Sequence, residues 1–96
     1  MKIRYEAGAR ADVIEAVSWY ADVAGWGIAD AFERELDTVV QLLVRHPQIG
    51  APGRHGTRHL NMDRFPYTLH YRIDGNALRI VAVASQSRRP GYWRKR

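Results

Sequence analysis

Between Tyr67 and Ala84 the chain spells out two strands and the turn that joins them. Tyr67, Leu69, Tyr71 and Ile73 alternate with Thr68, His70 and Arg72, the two-residue period of a strand with one buried face. Asp74-Gly75-Asn76 follows, and these residue types accept the positive φ that tight hairpin turns require. Leu78 to Ala84 is then apolar at nearly every position, as expected of a central strand covered on both faces. A lone hairpin is not stable in water, so the rest of the 96 residues must supply the covering layer.

The first half of the chain supplies it as helices. Lys2 to Glu6 reads as a short first strand, ended by Gly8. Ala9, Val13, Val17, Tyr20 and Ala24 then recur at the helical period, with Asp12 and Glu15 near the end where a carboxylate complements the helix dipole. Gly25-Trp26-Gly27 predicts a turn. Ile28, Phe32, Leu36, Val39 and Leu43, widened by Val40 and Leu42, form the stripe of a second helix. Asp30 and Glu33 lie early in it, Arg45 and His46 lie late, and Pro47 stops it. So short a linker makes the two helices an antiparallel hairpin. Residues 46–57 are rich in Gly, Pro and His and predict a loop, and Arg58 to Met62 predicts an edge strand. The order β-α-α-β-β-β is an α+β fold, a helical hairpin packed on a small antiparallel sheet. Residues 1–96 form one domain, and 87–96 form a basic aromatic C-terminal tail.

The absence of cysteine excludes a disulfide framework and a thiolate zinc site, and fits a reducing compartment. The start of the chain carries no apolar signal core, and the apolar runs 39–44 and 80–84 are too short to span a bilayer. A cytoplasmic protein without membrane contact is expected. Charge is divided unevenly: residues 1–50 carry five basic and eight acidic groups, residues 51–96 ten basic and two acidic. Such a basic half calls for an acidic partner, either nucleic acid or an acidic protein segment.

Little in the chain announces catalysis. His55 and His59 have a spacing that could grip zinc from one side of a helix, but no carboxylate stands near to complete the set. No metal and no cofactor is expected. His46 reads as a helix-end cation and His70, alternating away from the apolar face, as solvated. No serine lies in a nucleophile-elbow context, and Ser85-Gln86-Ser87 has no evident base. Metal-free phosphodiester cleavage, with Arg stabilising charge and Tyr or His moving protons, stays open. Tyr92 and Trp93 among Arg88, Arg89, Arg94, Lys95 and Arg96 suit base stacking, a protein hot spot, or simple packing on the sheet. Trp19, off the main stripe, and Trp26, in the turn, either seal the helical hairpin or meet a partner lying across it. A nonspecific nucleic-acid-binding domain is a third reading, and the acidic first half argues against it.

Several strings in order carry a resemblance. They are Asp12-Val13-Ile14-Glu15-Ala16-Val17-Ser18-Trp19-Tyr20, Phe32 with Leu36, and His46-Pro47-Gln48-Ile49-Gly50. Arg64-Phe65-Pro66-Tyr67-Thr68-Leu69-His70-Tyr71-Arg72-Ile73 follows, then Arg88-Arg89-Pro90-Gly91-Tyr92-Trp93 with Arg96. Over nearly its whole length the chain resembles the ParE/RelE superfamily of type II toxin–antitoxin toxins. The resemblance implies a bacterial toxin neutralised in a hetero-oligomer by a cognate antitoxin (ParD-like), whose acidic or amphipathic C-terminal segment lies along the helices and against the sheet. Trp19, Tyr20, Trp26, Phe32, Arg58 and Arg72 are the residues expected on that surface.

The superfamily divides by target. RelE-like members cut mRNA on the ribosome with a basic set on the strands, and those positions fall here on His59, Asn61 and Thr68. Arg88, Tyr92 and His59 are the residues left to carry that chemistry, and no residue is assigned a catalytic role. ParE-like members inhibit DNA gyrase and so replication, through contacts thought to involve the C-terminal region. The departures favour the ParE-like branch, a protein-binding inhibitor rather than an enzyme. Arg88, Arg89, Tyr92, Trp93, Arg94 and Arg96 are then the expected target-binding residues, and ribosome-dependent mRNA cleavage is the alternative.

Overall fold

The computed structural model describes residues 1–95, so Arg96 of the expected target-binding set lies outside the described residues. Strand β1 (Lys2–Tyr5) leads into helix α1 (Ala7–Ala24), and Gly25 alone separates α1 from helix α2 (Trp26–Arg45). Its φ of 91° is one that a residue with a Cβ rarely adopts, which makes the break sharp. Trp26 opens α2 instead of sitting in the turn predicted for 25–27. After Pro47 come β2 (Ala51–Pro52), a 3-10 turn at Arg54–Gly56, β3 (Arg58–Asn61), β4 (Tyr67–Asp74) and β5 (Ala77–Ser85), and the described chain ends in a second 3-10 turn at Tyr92–Lys95.

The strands form one sheet in the order β1-β5-β4-β3-β2. The helical hairpin on a small sheet is as read from the sequence, but the sheet is mixed. β1 runs parallel to β5, with Tyr5 opposite Ile80, while the other neighbours are antiparallel. The reason is topological: two helices carry the chain back across the sheet before it re-enters, so the first strand can lie parallel to the last. The short β2 forms within the predicted loop, and β4 rather than β5 is the middle strand.

The helices cover one face. α1 buries Ala9, Ala16 and Tyr20, and α2 buries Ala29, Phe32, Leu36, Val39, Val40 and Leu43. From the sheet they meet Leu69, Tyr71, Leu78, Ile80 and Val83. Each of the large side chains among these contributes about 1.5–3 kcal/mol by leaving water. At one end the core is aromatic: Tyr20, Phe32 and Phe65 pack edge-on or tilted with ring centroids 5.2–5.5 Å apart, and Tyr67 lies 5.1 Å from Phe32. At the other end Tyr71 pins the 47–50 loop. Its hydroxyl donates to the Pro47 carbonyl at 2.7 Å and accepts the Gly50 N–H at 3.0 Å.

A bulge gives the sheet its second buried face. His70 pairs with Ala82 and Tyr71 with Ile80, which leaves Val81 as an extra residue on β5. The alternation therefore reverses along β5: Leu78, Ile80 and Val83 point to the helices, whereas Ala82 and Ala84 point away, with Val81 packed beside them. Beyond Ile80 no described strand flanks β5 on the β1 side, and α1 closes that edge. The Asp12 carboxylate accepts the Val83 N–H at 2.9 Å. Among the described residues no helix is long and apolar enough to cross a membrane.

Candidate functional site

On the face away from the helices, β3 offers His59 and Asn61, β4 offers Thr68 and His70, and β5 offers Ala84. The chain turns after Ser85 and comes back over this face. Trp93 buries its indole against Ala82 and Ala84, with Tyr92 beside it. The Tyr92 hydroxyl accepts the Ser85 N–H at 3.1 Å, so the returning segment is tied to the end of β5 by both an apolar anchor and a hydrogen bond. Arg88 spreads over the Tyr92 ring, 4.7 Å from its centroid, and Arg94 lies 5.3 Å from that of Trp93. This covering of β5 on its second face explains the apolar run in its sequence.

Between the strands and the returning segment lies an open cleft of 630 Å³. Arg54, Arg88, Arg89 and Arg94 line it together with His59, His70 and Tyr92, and among the described residues no carboxylate does. Arg88 reaches Glu15 at 3.9 Å between exposed side chains, a contact worth little in water. No described carboxylate pairs with Arg54, Arg89 or Arg94. The polar floor is internally bonded: Thr68 Oγ1 donates to Asn61 Oδ1 at 2.6 Å, and Gln86 Nε2 donates to Thr68 Oγ1 at 3.3 Å.

His70 departs from its expected solvated position. Its ring stands 4.3 Å from that of Trp93 and 5.9 Å from that of His59. Burial first, then the neighbouring His59 and Arg94, push its pKa down to about 4 against a small opposing pull from Asp12. It is thus neutral at pH 7. Alternation alone placed it correctly on the face away from the helices; it could not show that the tail covers that face.

Of the expected target-binding residues, Arg88, Arg89, Tyr92, Trp93 and Arg94 line this one cleft. Trp93, at 7% exposure, is an anchor within it, and the arginines are its accessible part. The three residues considered for RNA cleavage, Arg88, Tyr92 and His59, line it too. Arg54 joins them because a 3-10 turn in the predicted loop carries it there. Among the described residues, no three His, Asp or Glu side chains group to hold a metal.

The residues expected to bind the antitoxin disperse. Trp19 and Trp26 are 55% and 70% exposed, so they do not seal the helical hairpin. Tyr20 is buried, with its ring edge-on to Trp19 at 5.0 Å, and supports it. Phe32 is wholly buried in the core and reaches no surface. Arg58 is held on the helix side of the sheet by the Gly50 and Gln48 carbonyls, at 2.8 and 3.2 Å. Arg72 lies on the opposite face, in a hollow of 410 Å³ that it shares with Glu6, Arg54 and Trp93. Trp19 lines a separate hollow of 430 Å³ with Tyr67, Ser85 and Arg88, bordering the basic cleft.

Residues 3–90 match the family model described as ParE toxin of type II toxin-antitoxin system, parDE. The chain is 32% identical over 82 residues to Toxin ParE2 of Mycobacterium tuberculosis (strain CDC 1551 / Oshkosh), covering 85% of this chain and 78% of that protein. The same figures hold for Toxin ParE2 of strain ATCC 25618 / H37Rv. Among solved structures, one described as the chromosomal ParDE TA system from P. aeruginosa superposes with a TM-score of 0.78 at 23% identity, covering 88% of this chain and 95% of that one. The fold is thus shared with that structure, and the match along residues 3–90 decides the family: the chain belongs to the ParE toxins of type II toxin–antitoxin systems.

Proposed function

We propose that this toxin acts by binding DNA gyrase through its C-terminal segment, and that a cognate antitoxin holds it inactive. The observation that carries the reading is the returning segment itself. Trp93 and the Tyr92–Ser85 bond hold it on the sheet, while Arg89 and Arg94 stand on it without a described carboxylate partner. A preorganised strip of this kind suits a protein target with an acidic surface, since little ordering cost remains on binding. Membership of the ParE family supports the choice of target. The cleft also lacks the strand cations that cleavage of RNA would use: His59, Asn61 and Thr68 stand where they are expected, and Asn61 and Thr68 bond each other. Acting on gyrase places the protein in the cytoplasm.

The antitoxin is proposed to lie across the exposed Trp19 and Trp26, with Tyr20 beneath, because two large exposed indoles on adjacent helices form the apolar anchor that a partner helix needs. The ParDE system named for the solved neighbour is consistent with such a pairing. The test is a gyrase supercoiling assay with the purified toxin, with and without antitoxin, beside ribosome-dependent mRNA cleavage. Inhibited supercoiling, relieved by antitoxin, with intact mRNA is expected. Cleaved mRNA with normal supercoiling would replace this reading with the ribonuclease one.

A further inference from the structure

The cleft has a chemistry that a protein-binding strip does not require. Arg54 from the loop before β3 and Arg94 from the returning segment bring positive charge from two separate parts of the chain, with Arg88 and Arg89 alongside and no described carboxylate in the lining. Imidazole and phenol rings stand among them: His59 and His70 on the strands, Tyr92 on the segment. The volume, 630 Å³, falls within the usual range of small-ligand sites and is too small and local for a duplex. Cationic forks recognise phosphate oxygens, and flat rings recognise a base.

From this juxtaposition we infer that the cleft between β3–β5 and the C-terminal segment binds a free nucleoside phosphate of about the size of a nucleoside diphosphate. The inference goes beyond the gyrase reading and does not need it. His70 provides a reporter inside the site. It faces Trp93 and Arg94 on the segment, His59 on β3 and Asp12 on α1, and both His59 and Arg94 oppose a positive charge on its ring. A bound phosphate offsets that positive field, so the ring titrates at a higher pH than its unliganded value of about 4.

The experiment titrates the full chain with ADP by calorimetry at about 150 mM salt, with inorganic phosphate and single-stranded hexathymidylate in parallel. Saturable one-to-one binding of ADP is expected, weakened about tenfold by Arg54→Gln through loss of a charge-assisted contact, together with an upward move of the His70 titration seen by NMR. His59→Gln, a second variant on β3, is expected to weaken ADP as well. Thermal unfolding of both variants verifies that they fold. Absence of ADP binding at millimolar concentration overturns the inference, as does unchanged ADP affinity in both folded variants. Phosphate binding as tightly as ADP would remove the nucleoside from it, and binding of the oligonucleotide alone would make the cleft a polymer track and overturn it. Gyrase is absent from this titration, and Arg54 and His59 lie outside the set proposed to touch it, so a negative result leaves the gyrase reading standing.

Discussion

The His70 imidazole lies against the Trp93 indole with ring centroids 4.3 Å apart, on the sheet face that the helices leave uncovered. This contact joins the middle strand to the C-terminal segment, which the Tyr92–Ser85 hydrogen bond also ties to β5. Replacing Trp93 with Ala removes the anchor of the small apolar cluster it forms with Ala82 and Ala84. A loss of about 3 kcal/mol in urea unfolding is expected. The His70 titration should rise from about 4 toward its ordinary 6.5 as water reaches the ring.

The same burial makes stability depend on pH. Because the folded pKa of His70 lies below the unfolded one, the unfolded chain binds the proton first as pH falls. The contribution of the neutral ring is present above about 6.5 and is lost as pH drops toward about 4. His70→Phe keeps a flat ring against Trp93 and takes up no proton. Its stability curve should be flatter than the wild type across that window; a curve of identical slope would assign the effect to other groups.

Asp12 replaces a strand neighbour at the open edge of β5 by accepting the Val83 N–H. Asp12→Ala is expected to cost about 1.5–2 kcal/mol, and Asp12→Asn less, because an amide oxygen still accepts. Hydrogen exchange at the Val83 amide should accelerate in the Ala variant by more than in the Asn variant.

Gly50 passes so close to Tyr71 that a Cβ there would stand 2.5 Å from the tyrosine hydroxyl oxygen and 2.9 Å from the His59 carbonyl. Gly50→Ala must therefore displace the hydroxyl that fastens the loop through Pro47 and Gly50. A loss of about 2 kcal/mol is expected from the overpacking, measurable as a lowered Tm with an unchanged far-UV spectrum.

Trp19→Ala and Trp26→Ala remove exposed rings, so stability should shift by no more than about 0.5 kcal/mol. Antitoxin affinity measured by calorimetry should fall about tenfold or more in each. Phe32→Ala provides the contrast: it should destabilise the fold by about 3 kcal/mol or more, because that ring is wholly buried. Equal antitoxin affinity in the Trp variants would move the docking surface elsewhere on the toxin.

Local pattern was enough for the helices, the hairpin and the stop at Pro47, because each depends on residues a few positions apart: the stripe from Phe32 to Leu43, the alternation from Tyr67 to Ile73, the turn at Asp74-Gly75-Asn76. It was also enough to place Arg88, Arg89, Tyr92, Trp93 and Arg94 together, since they are neighbours in sequence. It could not show that β1 runs parallel to β5, for that pairing joins the two ends of the chain. Nor could it separate Phe32 from Trp19. Both are aromatic and helical, and only the packing of α2 on the sheet puts one at zero exposure and leaves the other at 55%.

By itself, then, the sequence determined strand β1, the two helices, strands β3 to β5 and their order, the basic second half and the family to which the chain belongs. The tertiary structure alone decided that a bulge at Val81 turns Ala82 and Ala84 to the far face, that Trp93 comes back to cover them, and that Arg54 and His59 meet the C-terminal arginines across one cleft. The physical reason is range. Helix and strand periods are written by neighbours, whereas a cleft is made by segments far apart in the chain, brought together where apolar surface still had to leave water.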